Sequence, residues 1–208
     1  TAITVNGTNF DHAGSGAFAL NDVRIECDNK GGFVMSYMKT NGEWYVRAGT
    51  VSSAGAIAVG SEVGSITSVQ GGLDHGLALA YDGNSDRWAA LSRASNNTVY
   101  SAVISRSGTT VTNETGSASS VIGSVLNSFF SIVYDSVNSK FIFIYESTSS
   151  TIRSVISTMN SSKDGLTNSS ATTLSGYNPD GQGELAYDKA TTKSFYIFND
   201  GSGNNTKL

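Results

Sequence analysis

The sequence predicts an all-β chain made of four tandem units, and three observations carry that prediction. One pattern returns along the chain: an apolar strand ending in Tyr-Asp, a short polar turn, then a second apolar run. It is clear in LALAYDGNSDRWAALSR (Leu77 to Arg93), FSIVYDSVNSKFIFIYES (Phe130 to Ser147) and GELAYDKATTKSFYIFND (Gly183 to Asp200). A weaker copy, VRIECDNKGGFVMSYMK (Val23 to Lys39), has Cys27 in the Tyr slot. The shared aspartates Asp28, Asp82, Asp135 and Asp188 stand 54, 53 and 53 residues apart, and a fixed period of this length marks a repeat architecture. No stretch sustains a helical period, whereas short apolar or alternating runs bounded by Gly, Ser, Asn and Asp recur throughout.

Each unit continues in the same order after its hairpin. Thr98 to Ser105 and Thr151 to Ser157 alternate polar and apolar residues as third strands, and Trp44 to Ser52 fills that slot in the first unit. A turn at Ser107-Gly108 and a short Thr-rich strand, Thr109 to Thr112, finish the repeat. Four antiparallel strands in about 53 residues is the pattern of a β-propeller blade. The expected architecture is therefore one propeller domain over 1–208, with blades at about 17–70, 71–124, 125–178 and 179–208 plus 1–16. The second strands agree: Phe141 to Tyr145 is apolar at consecutive positions, so both faces need cover, which neighbouring blades would supply.

The chain ends are informative. The last unit stops at Asn204 to Leu208, where its third strand should be starting. Thr206-Lys207-Leu208 followed by Thr1-Ala2-Ile3-Thr4 reproduces the polar-apolar pattern of Thr151 to Ser157, and the expected assembly strand is Thr1 to Val5 with Thr206 to Leu208. Three readings fit. The N-terminal strand closes the last blade of its own ring, which removes an exposed edge. It completes the last blade of a neighbouring copy, joining molecules head to tail. Or the sequence is one period of a longer repetitive polypeptide.

Composition excludes several functions. At 208 residues the chain buries a core without staples, so the lone Cys27 pairs with nothing inside it. Charged residues are 14% of the chain with net charge -4, and no run of Lys or Arg builds a phosphate-binding stripe, so nucleic acid is not an expected partner. The longest apolar runs fall far short of the roughly 18 to 20 residues of a membrane span.

The search for chemistry gives little. His12 and His75 are the only histidines, and with one cysteine they make no zinc ligand set. Each follows an aspartate, Asp11 and Asp74, but adjacent residues in a strand or turn point apart, so solvated turn residues are the expectation. No G-x-S-x-G elbow, Walker loop or dinucleotide fingerprint is present. A hydrolase on this scaffold would need acidic residues converging in a central channel, for which Glu26, Glu184 and Asp22 are the candidates on first strands. The expectation is no enzyme and no cofactor. Asp82, Asn84 and Asp86 place oxygens at alternate positions like the start of a calcium loop, without the downstream bidentate Glu. The other units do not keep this spacing, and a repeated Asp that caps its hairpin turn is the simpler account. Glycan binding would draw on Trp44, Tyr45, Tyr100 and Tyr177, the aromatics outside the expected apolar positions. Six N-x-[ST] triplets begin at Asn6, Asn96, Asn113, Asn160, Asn168 and Asn204, little above chance for so Asn-, Ser- and Thr-rich a chain.

The Tyr-Asp hairpin followed by a Ser/Thr-rich strand resembles the tandem β-propeller repeats of phage structural proteins and of bacterial or environmental surface and fibre proteins. The resemblance implies a structural or adhesive role at an extracellular or virion surface, with head-to-tail self-association, and glycans as the alternative partner. It carries over no active-site residue.

Overall fold

A computed structural model of the chain describes residues 18–39, 42–64, 66, 76–94, 96–116, 119–123, 125–147, 151–175, 183–200 and 205–207. Among them there is no helix, and the strands form four antiparallel sheets. Sheet I holds β1 (Phe18–Cys27), β2 (Gly32–Lys39), β3 (Trp44–Val51) and β4 (Ile57–Val59) in that order. Sheet II holds β5 (Leu77–Asp82), β6 (Arg87–Arg93), β7 (Val99–Ser107) and β8 (Thr110–Asn113), with β9 (Ser119–Ile122) also on β7. Sheet III repeats this with β10 (Val125–Asp135), β11 (Lys140–Ser147), β12 (Ile152–Met159), β13 (Leu166–Asn168) and β14 (Thr172–Ser175), the last also on β12. Sheet IV has three strands, β15 (Glu184–Asp188), β16 (Lys193–Asp200) and β17 (Asn205–Lys207).

The hairpin of each sheet is set by its aspartate. The Asp82 carboxylate accepts from Asn84 N at 2.8 Å and Ser85 N at 3.2 Å, and Asp135 accepts from Val137 N and Asn138 N, both at 3.0 Å. Asp188 accepts from Ala190 N at 2.9 Å, and Asp28 from Lys30 N at 2.7 Å and Gly32 N at 2.8 Å. These bonds satisfy turn donors that the ladder leaves unpaired. Four residues after the aspartate, Asp86, Ser139 and Thr192 all adopt positive φ, at 58°, 55° and 56°. Left-handed backbone is costly for such side chains, and the capping bonds hold the turn there. Sheet I, whose turn is one residue shorter, instead uses Asn29 at 58° and Gly31 at 84°.

The core lies between successive sheets. Val34, Met38, Trp44 and Val46 of sheet I pack with Leu77, Leu79, Tyr81 and Trp88 of sheet II. The other face of sheet II, with Ala78, Ala80, Ala89 and Leu91, packs on Phe130, Ile132, Phe141 and Phe143 of sheet III. Val133, Ile142, Ile144 and Ile152 then meet Leu185, Tyr196 and Phe198 of sheet IV. Side chains alternate between the faces of a strand, so sheets II and III are buried on both sides, as their continuous apolar runs require. The first strands β1, β5, β10 and β15 are neighbours in that order.

The N-terminal assembly residues Thr1, Ala2, Ile3, Thr4 and Val5, and Leu208 with them, lie outside the described residues. Thr206 and Lys207 are placed, in β17, where they pair with Asn199 and Phe198. That pairing reaches only the end of β16. Elsewhere the third strand covers its neighbour: β3 runs opposite Gly32 to Met38, β7 opposite Trp88 to Arg93, and β12 opposite Phe141 to Glu146. In sheet IV the pairs are Phe198, Asn199 and Asp200 alone, so Lys193 to Ile197 have no partner on that edge among the described residues.

Candidate functional site

Among the described residues, polar groups line a cavity along the first strands and form a row of contacts linking the hairpin turns of successive sheets. The cavity, about 410 Å³, is lined by all four first strands: Arg24 to Glu26, Ala78 to Tyr81, Phe130 to Tyr134, and Gly183 to Leu185 with Tyr187. Among the described residues these strands each pair on one edge only, so backbone groups of the other edge line the space beside the side chains. Glu26 and Glu184, two of the three carboxylates expected in a central channel, both border this cavity, together with Arg24. Burial pushes the Glu26 carboxyl up from its ordinary value. Asp22 lies on β1, and its side chain is outside the described residues, as are His12 and His75 with Asp11 and Asp74.

The row of turn contacts emerges from the Tyr-Asp pattern. The buried hydroxyl of Tyr187 faces Asp135 of the preceding sheet, and that of Tyr134 faces Asp82; both stop short of a hydrogen bond of standard geometry. Burial and then the nearby Asp82 carboxylate push the Tyr134 phenol up to about 12. Burial raises the Asp135 carboxyl, but Tyr187 and the side chain and backbone of Asn138 outweigh it and hold the group down at about 2. Asn84 reinforces the link between sheets II and III by donating to Ser139 Oγ at 2.8 Å. Between sheets I and II the pattern changes. Tyr81 donates to Asp86 at 2.6 Å, Lys30 reaches the same carboxylate at 3.0 Å, and Arg106 forms an ion pair with the enclosed Asp28.

A carboxylate whose folded pKa is depressed stabilises the fold at pH values above its unfolded pKa and loses that contribution as pH falls through the folded one. For Asp135 the window runs from its ordinary 3.8 down to about 2. Asp135→Asn is expected to flatten the fall in Tm across that window relative to the unchanged chain, as read by circular dichroism melts. An unaltered slope would show that Asp135 does not link sheets III and IV electrostatically.

The remaining sequence-derived candidates are scattered. Asp82, Asn84 and Asp86 do not converge: Asp82 caps its own turn and also accepts from Ser85 Oγ, Asn84 turns to Ser139, and Asp86 accepts from Tyr81 and Lys30. Trp44 belongs to the core, 1% exposed, with its indole N–H donating to Ser36 Oγ at 2.7 Å. The strand alternation of β3 turns it inward, a face the polar neighbourhood of the sequence concealed. Tyr45, half-buried, stacks on Tyr37 at 5.9 Å between ring centroids, and the Lys39 ammonium stands 4.1 Å from its ring. Tyr100 is half-buried on β7 of sheet II, on a different sheet, and Tyr177 lies outside the described residues. Among the sequons, Asn96 is exposed and its side chain accepts from Thr98 N at 3.0 Å. Asn113, Asn160 and Asn168 are half-buried, with side chains bonded to Gly116 and Thr115, to Asp164, and to Ser157 respectively. Asn6 and Asn204 fall outside the described residues.

Sequence reading missed Glu62. It accepts from the Tyr37 hydroxyl at 2.6 Å and from Lys39 Nζ at 2.7 Å, with Arg47 at 3.5 Å. Those bonds and charges outweigh burial and hold its carboxyl below the usual range. The only signal was two basic residues, Lys39 and Arg47, in strands whose alternation aims them at one face. No helix of the described residues is long and apolar enough to cross a membrane. Neither a protein-family model nor a curated protein sequence matches this chain.

Proposed function

We propose that the four sheets are the blades of a β-propeller that serves as a non-enzymatic building block of a fibre or appendage at an extracellular or virion surface. Copies join head to tail when the N-terminal strand, Thr1 to Val5, completes the last blade of the next copy. The observation that supports this is the short pairing of sheet IV. An edge that no described residue pairs from Lys193 to Ile197 is a template for an added strand. The register of β17 fixes what must fit there, because Lys207 sits opposite Phe198 and the following positions descend along β16. A strand with the alternation of Thr1 to Val5 meets that requirement.

The test is the mass and shape of the native particle, by light scattering and electron microscopy on one sample. The full chain is expected to form fibres with a propeller-sized repeat, and deletion of Thr1 to Val5 to leave a monomer slightly below the 21.7 kDa of the full chain. A compact monomer from the full chain would overturn assembly and leave self-closure of the ring. A second reading, a glycan-binding propeller acting in adhesion, is favoured by the cavity, whose Arg24, Glu26, Glu184 and open strand edges suit hydroxyl-rich ligands. Saturable binding on a glycan array by a chain that does not polymerise would select it.

A further inference from the structure

The packing rule of the fold leaves one flank over at each end. In sheets II, III and IV the first strand turns one set of residues to the preceding sheet: Leu77, Leu79 and Tyr81, then Phe130, Ile132 and Tyr134, then Leu185 and Tyr187. The matching positions of sheet I are Val23, Ile25 and Cys27, which no preceding sheet covers among the described residues. The second strands of sheets II and III turn Ala89 with Leu91, and Ile142 with Ile144, to the sheet that follows. The matching positions of sheet IV are Phe195 and Ile197, which no following sheet covers among the described residues.

The burial follows the same rule. Among the described residues eight large hydrophobics are exposed, and four of them are Val23 at 41%, Ile25 at 57%, Phe195 at 40% and Ile197 at 48%. Half the exposed apolar side chains therefore fall on two flanks that the repeat would otherwise cover. The row of turn contacts breaks at the same place. Cys27, exposed, stands where the other units have a tyrosine, and Asp188 receives no side chain from another sheet among the described residues.

We propose that these two flanks are the halves of one heterologous interface between copies of this chain. Sheet I of one copy packs on sheet IV of the next, as sheet IV packs on sheet III within it. The inference deepens the head-to-tail reading and rests on it: the strand that completes sheet IV is followed, after residues 6–17, by the sheet whose flank fits beside it. A contact between different patches propagates rather than closing in pairs. Apolar surface supplies the attraction, and the interface lacks the tyrosine hydroxyl that the boundaries of sheet II with III and of sheet III with IV place against the preceding aspartate.

Restoring that hydroxyl is the decisive test. Cys27→Tyr is expected to tighten self-association about tenfold in sedimentation velocity, the scale of one hydrogen bond to a carboxylate. Ile197→Asp, at an exposed position that leaves the sheets intact by circular dichroism, is expected to weaken association at least a hundredfold. Association unchanged by both variants, yet abolished by deletion of Thr1 to Val5, would overturn the flank interface and leave strand complementation standing. A full chain that stays monomeric while Cys27→Tyr raises its Tm would overturn both, by showing that the flanks meet within one ring.

Discussion

Trp88→Ala is expected to lower the free energy of unfolding by about 3–5 kcal/mol, the range for removing a buried aromatic side chain. Trp88 is 1% exposed and sits in the cluster that joins sheets I and II. Its ring lies 4.6 Å from that of Tyr81, between centroids, and its indole N–H donates across the sheet boundary to the Glu26 carbonyl at 3.2 Å. Alanine removes the ring contact, leaves a cavity between two sheets and strips a carbonyl of its donor. Trp88→Phe keeps most of the volume and loses the bond, so a smaller loss of about 1–2 kcal/mol is expected. Urea unfolding followed by circular dichroism measures both. A loss below about 1 kcal/mol for the alanine variant would show that the boundary collapses freely and that the sheets are not held by this side chain.

The second large effect is electrostatic. Asp28→Ala is expected to cost about 3–5 kcal/mol, because it leaves the Arg106 guanidinium without its partner in a largely enclosed place. The side chain of Asp28 is 0% exposed and that of Arg106 14%. The same carboxylate also accepts from two backbone donors of its turn, so the variant loosens the hairpin as well. Burial pushes the Asp28 carboxyl up, but the Lys30 and Gly32 amides and then Arg106 outweigh it, and the group stays below the usual carboxylate range. Its contribution is therefore present above the ordinary carboxylate pKa and declines as pH falls below it. Combining Asp28→Ala with Arg106→Met should cost less than the two single changes added together. Additive losses in the same urea titration would mean that the two residues stabilise the fold independently.

Much of this fold was legible because its grammar is local. The aspartate markers identified the turns, since an Asp that bonds the next two or three backbone donors leaves the same trace wherever a hairpin recurs. Third strands were placed to within a residue or two: Thr151 to Ser157 against Ile152–Met159, and Trp44 to Ser52 against Trp44–Val51. The outer edge was less readable. Thr109 to Thr112 anticipated β8, but β9 and β14 share the edges of β7 and β12 with β8 and β13. Such polar edge strands of three or four residues have one face in water and no apolar alternation to betray them. The candidate site was half legible. Glu26 and Glu184 were named only as acidic residues on first strands, with nothing in the sequence to bring them together, and both border one cavity. Trp44 looked like surface because neighbours in sequence are polar, although alternation buries it. Glu62 could not be found, since its partners come from β2 and β3 and only the tertiary fold brings them together.

The turn contacts described above link each hairpin only to those of the adjoining sheets, in both directions along the chain, and each sheet touches chiefly its immediate neighbours. Copy number is thereby decoupled from design. A duplicated unit inserted between sheets II and III would repeat the tyrosine and aspartate that those sheets already place face to face, and only its apolar faces, small on sheet II (Ala78, Ala80, Ala89) and larger on sheet III (Val133, Ile142, Ile144), would need repacking. Cooperativity in such an array is a nearest-neighbour property: a lesion in one unit weakens two boundaries and leaves the others intact. It is in sheets I and IV that the repeat departs from its own rule, with Cys27 in the tyrosine slot of one and, among the described residues, only three pairs between the last two strands of the other.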